Sequence, residues 1–137
     1  MKEKLSRCGA SRKISGIISV VGLVALAAYI VYGVVFDYLD SVVCLFMGAG
    51  IVLNALHFWL DARMAGTCNL LGVMCCSGAI ALFFLNSYPV WADELNGITM
   101  YASRGGLPPM IAILVLLFAI AVAGIVSCFI PVKKEDN

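Results

Sequence analysis

The sequence is poor in charge. Of its 137 residues only 12% are charged and 63% are hydrophobic, against about 25% and roughly 45–50% in a soluble domain. A water-soluble fold of this size exposes too much of its area to hide that apolar surface. Disorder, a disulfide scaffold and a nucleic-acid-binding module are excluded on the same composition. Nine basic and eight acidic residues leave a net charge of +1, so no overall field attracts a polyanion. An integral membrane protein remains.

Other scarcities narrow the chemistry. There is one histidine, His57. A metal site needs several thiolates or imidazoles converging, and the six cysteines are scattered over positions 8, 44, 68, 75, 76 and 128. No Cys-x-x-Cys spacing occurs, which speaks against thiol–disulfide chemistry. Packing is the expected role of these small apolar side chains. No phosphate-cradling glycine loop or zinc motif is found, and His57 has only Asp61 at an obviously matching depth. No catalytic residue, cofactor or metal is therefore expected, and the chain reads as a non-enzyme.

What the sequence has is four long uncharged runs: Ile14–Phe36, Ser41–Leu60, Thr67–Ser87 and Pro109–Pro131. They are 23, 20, 21 and 23 residues long, and about 20 apolar residues cross the hydrocarbon core as a helix. All charges fall outside them. A soluble bundle would carry charge at helical spacing on its outer faces. The reading is all-α: a polytopic membrane protein forming an antiparallel four-transmembrane-helix bundle within one membrane domain, residues 1–137. Ala25-Leu26-Ala27 resembles a signal-cleavage site, but apolar sequence continues to Phe36, so a retained first span is expected.

Lys2, Lys4, Arg7, Arg12, Lys13, Arg63, Lys133 and Lys134 fall on one side of this arrangement and only Arg104 on the other. That bias predicts both termini in the cytoplasm, in a plasma or inner membrane. A proton-coupled small exporter needs an acidic residue inside a span, and none is present.

The 21-residue segment 88–108 reads as a short interfacial helix between the third and fourth spans, over about 89–103. Pro89 suits a first turn, Asp93 and Glu94 lie early, Arg104 lies late, and Gly105-Gly106 reads as a stop. Trp91, Leu95, Ile98 and Ala102 share a helical face, and Tyr101 favours an interface. Trp91, Leu95, Ile98 and Tyr101 are thus a candidate docking face. Its expected role is to lie on the outer leaflet or cap the bundle, or else to act as a lid or partner-docking surface.

The rarest feature is polarity inside the spans. Asn54, His57 and Asp61 lie at offsets of 0, 3 and 7 on one face of the second span. Asn69 and Thr67 approach the same depth from the third. Asn54, His57, Asp61 and Asn69 form a candidate polar cluster, with His57 expected to pair with Asn69, Thr67 or Asp61. Two roles fit: an interhelical hydrogen-bond cluster, or a polar vestibule open to the cytoplasm. Small-residue ridges, such as Cys68, Gly72 and Cys76, allow close helix approach. The expected function is a structural or accessory membrane protein that packs in the lipid bilayer with itself or with a larger membrane partner. The alternative is a small oligomeric transporter or channel.

Overall fold

The computed structural model describes residues 10–60, 62–98 and 105–130, with no account of the side chains at 62 and 63. Five helices occur among them: α1 (Ala10–Phe36), α2 (Ser41–Trp59), α3 (Ala62–Asn86), α4 (Tyr88–Asn96) and α5 (Leu107–Cys128). No strand is present among the described residues. All but α4 are long and apolar enough to cross a membrane.

Helix ends differ from the edges of the uncharged runs. α1 and α3 start earlier, at Ala10 and Ala62, because a charged residue does not stop a helix once it lies beyond the hydrocarbon. Pro108 and Pro109 occupy the first turn of α5, where a missing N–H costs nothing. α1 ends on Asp37, the one non-glycine described residue at positive φ, 55°. The Tyr38 N–H donates to the Gly33 carbonyl at 2.8 Å, the six-to-one bond of a Schellman termination. Asp40 then starts α2: its carboxylate accepts from the Val42 N–H at 2.7 Å, an N-cap bond. The second carboxylate oxygen accepts from the Asn86 amide, which fastens the α1–α2 link to the end of α3.

The long helices pack in a ring. α1 lies against α2 and α5, and α3 lies against the same two. Buried positions recur by threes and fours: Val43, Met47, Gly50, Asn54 and His57 on α2, and Met110, Ile113, Leu117, Ile120, Gly124 and Ser127 on α5. This is the rhythm of a helix seam. α2 and α3 come closest at their glycines. A Cβ built on Gly50 would stand 2.8 Å from Cys76 Sγ, and one on Gly72 would stand 2.6 Å from Asn54 Nδ2. In lipid such close approach drives association, since apolar transfer does not.

At one end the core is aromatic. Phe83 packs edge-on against Tyr29 and Tyr32, with ring centroids 5.1 and 6.0 Å away. The Tyr29 hydroxyl accepts from the Asp40 N–H at 3.1 Å. Only 28–33% of the most apolar stretch of each long helix is buried. Outward-facing residues include Val20, Val34, Val52, Met74, Val115 and Phe118. Large apolar side chains over so much of the outer surface are the inverse of a soluble fold and suit lipid surroundings.

The short helix is shorter than its sequence predicts. It ends at Asn96, because Gly97 takes a left-handed conformation, φ 62°, and provides the stop in place of Gly105-Gly106. Ile98 therefore lies beyond the helix, and the face shared by Trp91, Leu95 and Ile98 is broken. Residues 99–104, with Tyr101, Ala102 and Arg104, lie outside the described residues.

Candidate functional site

Four helices contribute to one polar layer. Ser11 comes from the first turn of α1, His57 from the last turn of α2, Asn69 and the Ala65 carbonyl from the first half of α3, and Ser127 from the last turn of α5. Each of the four side chains is at most 1% exposed.

The hydrogen bonds place a proton on one nitrogen of the histidine. His57 Nδ1 lies 2.6 Å from the Ala65 carbonyl oxygen. A carbonyl only accepts, so Nδ1 carries a proton. Nε2 lies 3.2 Å from Ser11 Oγ. Ser11 has a single hydroxyl proton, and two acceptors compete for it: His57 Nε2 in a neutral ring and the Ser127 carbonyl. Ser11 Oγ is also 3.0 Å from both the carbonyl and the hydroxyl of Ser127. Ser127 Oγ is 3.2 Å from the Ser11 carbonyl. Asn69 Nδ2 completes the layer by donating to Ser127 Oγ and towards Cys128 Sγ, both at 3.3 Å.

These contacts differ from those expected for His57. Its partners are Ser11 and a backbone carbonyl. The Asn69 side chain bonds α5 instead, Thr67 is exposed, and Asp61 lies outside the described residues. The expectation that no serine matches His57 in depth is corrected by Ser11. That serine precedes the uncharged run, but α1 begins at Ala10 and carries it into the helix interior. The signal was a spacing: Ser11, Ser15, Ile18 and Gly22 continue one buried stripe by fours and threes.

A serine hydroxyl on a histidine nitrogen, with the other nitrogen oriented by a third group, is the arrangement of an activated nucleophile. Here both Ser11 and His57 are buried, and Ser11 also bonds Ser127. Among the described residues no three His, Cys, Asp or Glu side chains converge as a metal site would require.

One turn deeper lie Ser15 and Asn54, at 0% and 1% exposure. Asn54 Nδ2 donates to Gly50 O at 2.8 Å. Its Oδ1, Asn69 Oδ1 and Ser15 Oγ have no hydrogen-bond partner within the described structure. Each unmet buried group costs about 1–3 kcal/mol, and ordered water is the usual remedy. A cavity of about 10 Å³ borders Asn54, between Cys76, Ile18, Met47, Leu117 and Ile120. That is close to the smallest space that holds one water molecule. Below Asn54 those apolar side chains fill the axis. At the layer's edge Arg12 donates from its guanidinium to the Leu60 carbonyl at 2.6 Å and so caps the end of α2.

Of the candidate docking face, Tyr101 lies outside the described residues, and the other three differ in burial. Trp91 is half-buried and packs on Phe84, with centroids 5.7 Å apart. Leu95 and Ile98 are 79% and 64% exposed. The inward residues of α4 are Val90, Ala92 and Asp93. A one-residue corner at Ser87 sets this orientation. Its hydroxyl donates back to Phe84 O, and its carbonyl accepts from the Val90 N–H, both at 3.0 Å.

Compared with protein-family models, with curated proteins and with solved structures, the chain finds no match.

Proposed function

We propose that the protein is a small non-enzymatic membrane component of structural or accessory type, which packs through its outer faces with itself or with a larger membrane partner. In this reading the long helices form an antiparallel bundle in the plasma or inner membrane, both termini are cytoplasmic, and α4 lies at the outer interface. The carrying observation is the division of polarity. The Ser11–His57–Ser127–Asn69 layer spends its hydrogen bonds on joining the helices to one another, and the surface is left apolar. A side chain that serves transport needs access to water, and this layer has the burial of a core. Co-purification in a mild detergent tests the reading. A stoichiometric partner, or a homo-oligomer impermeable in liposomes, is expected. A protein that conducts in liposomes overturns it.

A second reading, a transporter or channel with a polar vestibule on the cytoplasmic side, draws support from one observation: the partnerless oxygens of Ser15, Asn54 and Asn69. Such a file of acceptors one turn apart suits a short column of water. It predicts a flux that changes with Asn54→Leu while the bundle stays folded.

A further inference from the structure

Two outward grooves of nearly equal size flank α1, and they differ in charge. One lies between α1 and α2, holds about 510 Å³, and is lined by Lys13, Gly16, Ile17, Val20, Val21 and Phe58. The other lies between α1 and α5, holds about 490 Å³, and is lined by Val31, Val35, Pro109, Ala112 and their neighbours, with no charged residue. Both are within the range of small-ligand sites, about 300–1,000 Å³. We propose that the α1–α2 groove holds one acyl chain of an anionic phospholipid whose phosphate rests on Lys13.

The shape follows from the residues. Gly16 has no side chain, and Phe58 Cδ2 would lie only 3.8 Å from a Cβ placed there, so the phenyl ring forms one wall over a notch. Ile17 and Val20, 64% and 63% exposed, form the other. From Lys13 to Val21 the helix rises about 12 Å, a length suited to the upper part of an acyl chain. Lys13 stands at the mouth and is exposed. Its stem can lie along apolar surface while the ammonium reaches a headgroup, where it binds phosphate as a point charge. The neighbouring Arg12 is engaged on Leu60 O, which closes the seam behind the headgroup, and Lys13 is the cation among the described residues that line the groove. Trp59, 74% exposed at the same end of α2, is of the type that settles at the headgroup level. An anionic lipid therefore meets complementary charge in this groove and none in the other.

The test is native mass spectrometry of the full chain released from bilayers of equal phosphatidylglycerol and phosphatidylcholine. One retained phospholipid is expected, with phosphatidylglycerol favoured about five-fold for one lysine near the headgroups. Lys13→Gln should abolish the preference while a lipid is still retained, and Lys13→Arg should keep it. Val20→Trp fills the groove from its outer wall and should remove both lipids, whereas Ala112→Trp in the uncharged groove should change neither. Thermal midpoints of all variants check that the fold persists. Excess inorganic phosphate should leave the adduct in place. Equal retention of the two lipids by the unaltered protein, retention insensitive to Val20→Trp, or displacement by phosphate overturns the proposal. So does a dimer that Val20→Trp abolishes when no lipid is held, since that assigns the groove to a second copy.

Discussion

Ser11 and Ser127, 116 positions apart, hydrogen-bond each other in both directions. The Ser11 hydroxyl is 3.0 Å from the Ser127 carbonyl, and the Ser127 hydroxyl is 3.2 Å from the Ser11 carbonyl. Each side chain thus holds the other's backbone, and the first and last long helices are joined at their polar ends. Ser11→Ala and Ser127→Ala should each lower stability by about 0.6–2 kcal/mol. The double variant should cost less than the sum, because the contact between the two hydroxyls, 3.0 Å, is lost in either single change. Equilibrium unfolding in mixed micelles measures the cycle, and strict additivity would contradict a direct pair.

Both ring nitrogens of His57 have a hydrogen-bond partner. His57→Leu leaves the Ala65 carbonyl and the Ser11 hydroxyl without it, and should destabilise the fold by about 1–3 kcal/mol. His57→Gln supplies an N–H and an oxygen and should recover most of that loss. Thermal unfolding of the two variants compares them. Equal loss in both would mean that ring shape, not hydrogen bonding, holds this position.

At Gly72 the limit is steric. Alanine there gains helix propensity, about 1 kcal/mol over glycine, but its methyl meets Asn54 Nδ2 at 2.6 Å. Overpacking costs typically 1–3 kcal/mol. Gly72→Ala alone should therefore destabilise, whereas Gly72→Ala in an Asn54→Ala background should be neutral or stabilising. The difference in midpoint between the two backgrounds reports the clash. A stabilising Gly72→Ala with Asn54 present would show that the amide moves aside freely.

Asp37 carries a left-handed conformation, φ 55°, at the end of α1. Asp37→Gly should be tolerated or stabilising, because glycine takes this conformation without a Cβ clash. Asp37→Val should destabilise by about 1–2 kcal/mol. Urea unfolding of the pair gives the sign, and a harmless Asp37→Val would mean that the turn relaxes to another form.

The four long helices are legible in the sequence because hydrocarbon excludes charge almost without compromise, so their cores coincide with the uncharged runs. Their ends are less so. Helix continues into the interface, and Ala10, Ser11 and Ala62 join it although charged residues surround them. The stop of α4 was ambiguous for another reason: Gly97, Gly105 and Gly106 all permit a left-handed turn, and sequence does not rank them. Asn54, His57 and Asn69 stand out because polarity is rare at their depth. Their partners do not, since a serine near a helix end and a backbone carbonyl look ordinary in sequence. Ser11 and Ser127 join the layer only through the contact between the first and last long helices, which no local pattern encodes.

The placement of Ser127 also bears on biosynthesis. A chain is made from its N-terminus, so α1, α2 and α3 exist before the last helix leaves the ribosome. During that interval the Ser11 and Asn69 side chains lack the hydroxyl that later joins them, and the flank of α1 that α5 will cover faces lipid or the insertion machinery. Buried polar groups without partners are costly. The three-helix intermediate therefore carries polar groups that wait for a partner, and the arrival of α5 supplies it. A chain truncated after Gly106 should be degraded in cells even though three of its four long helices are present.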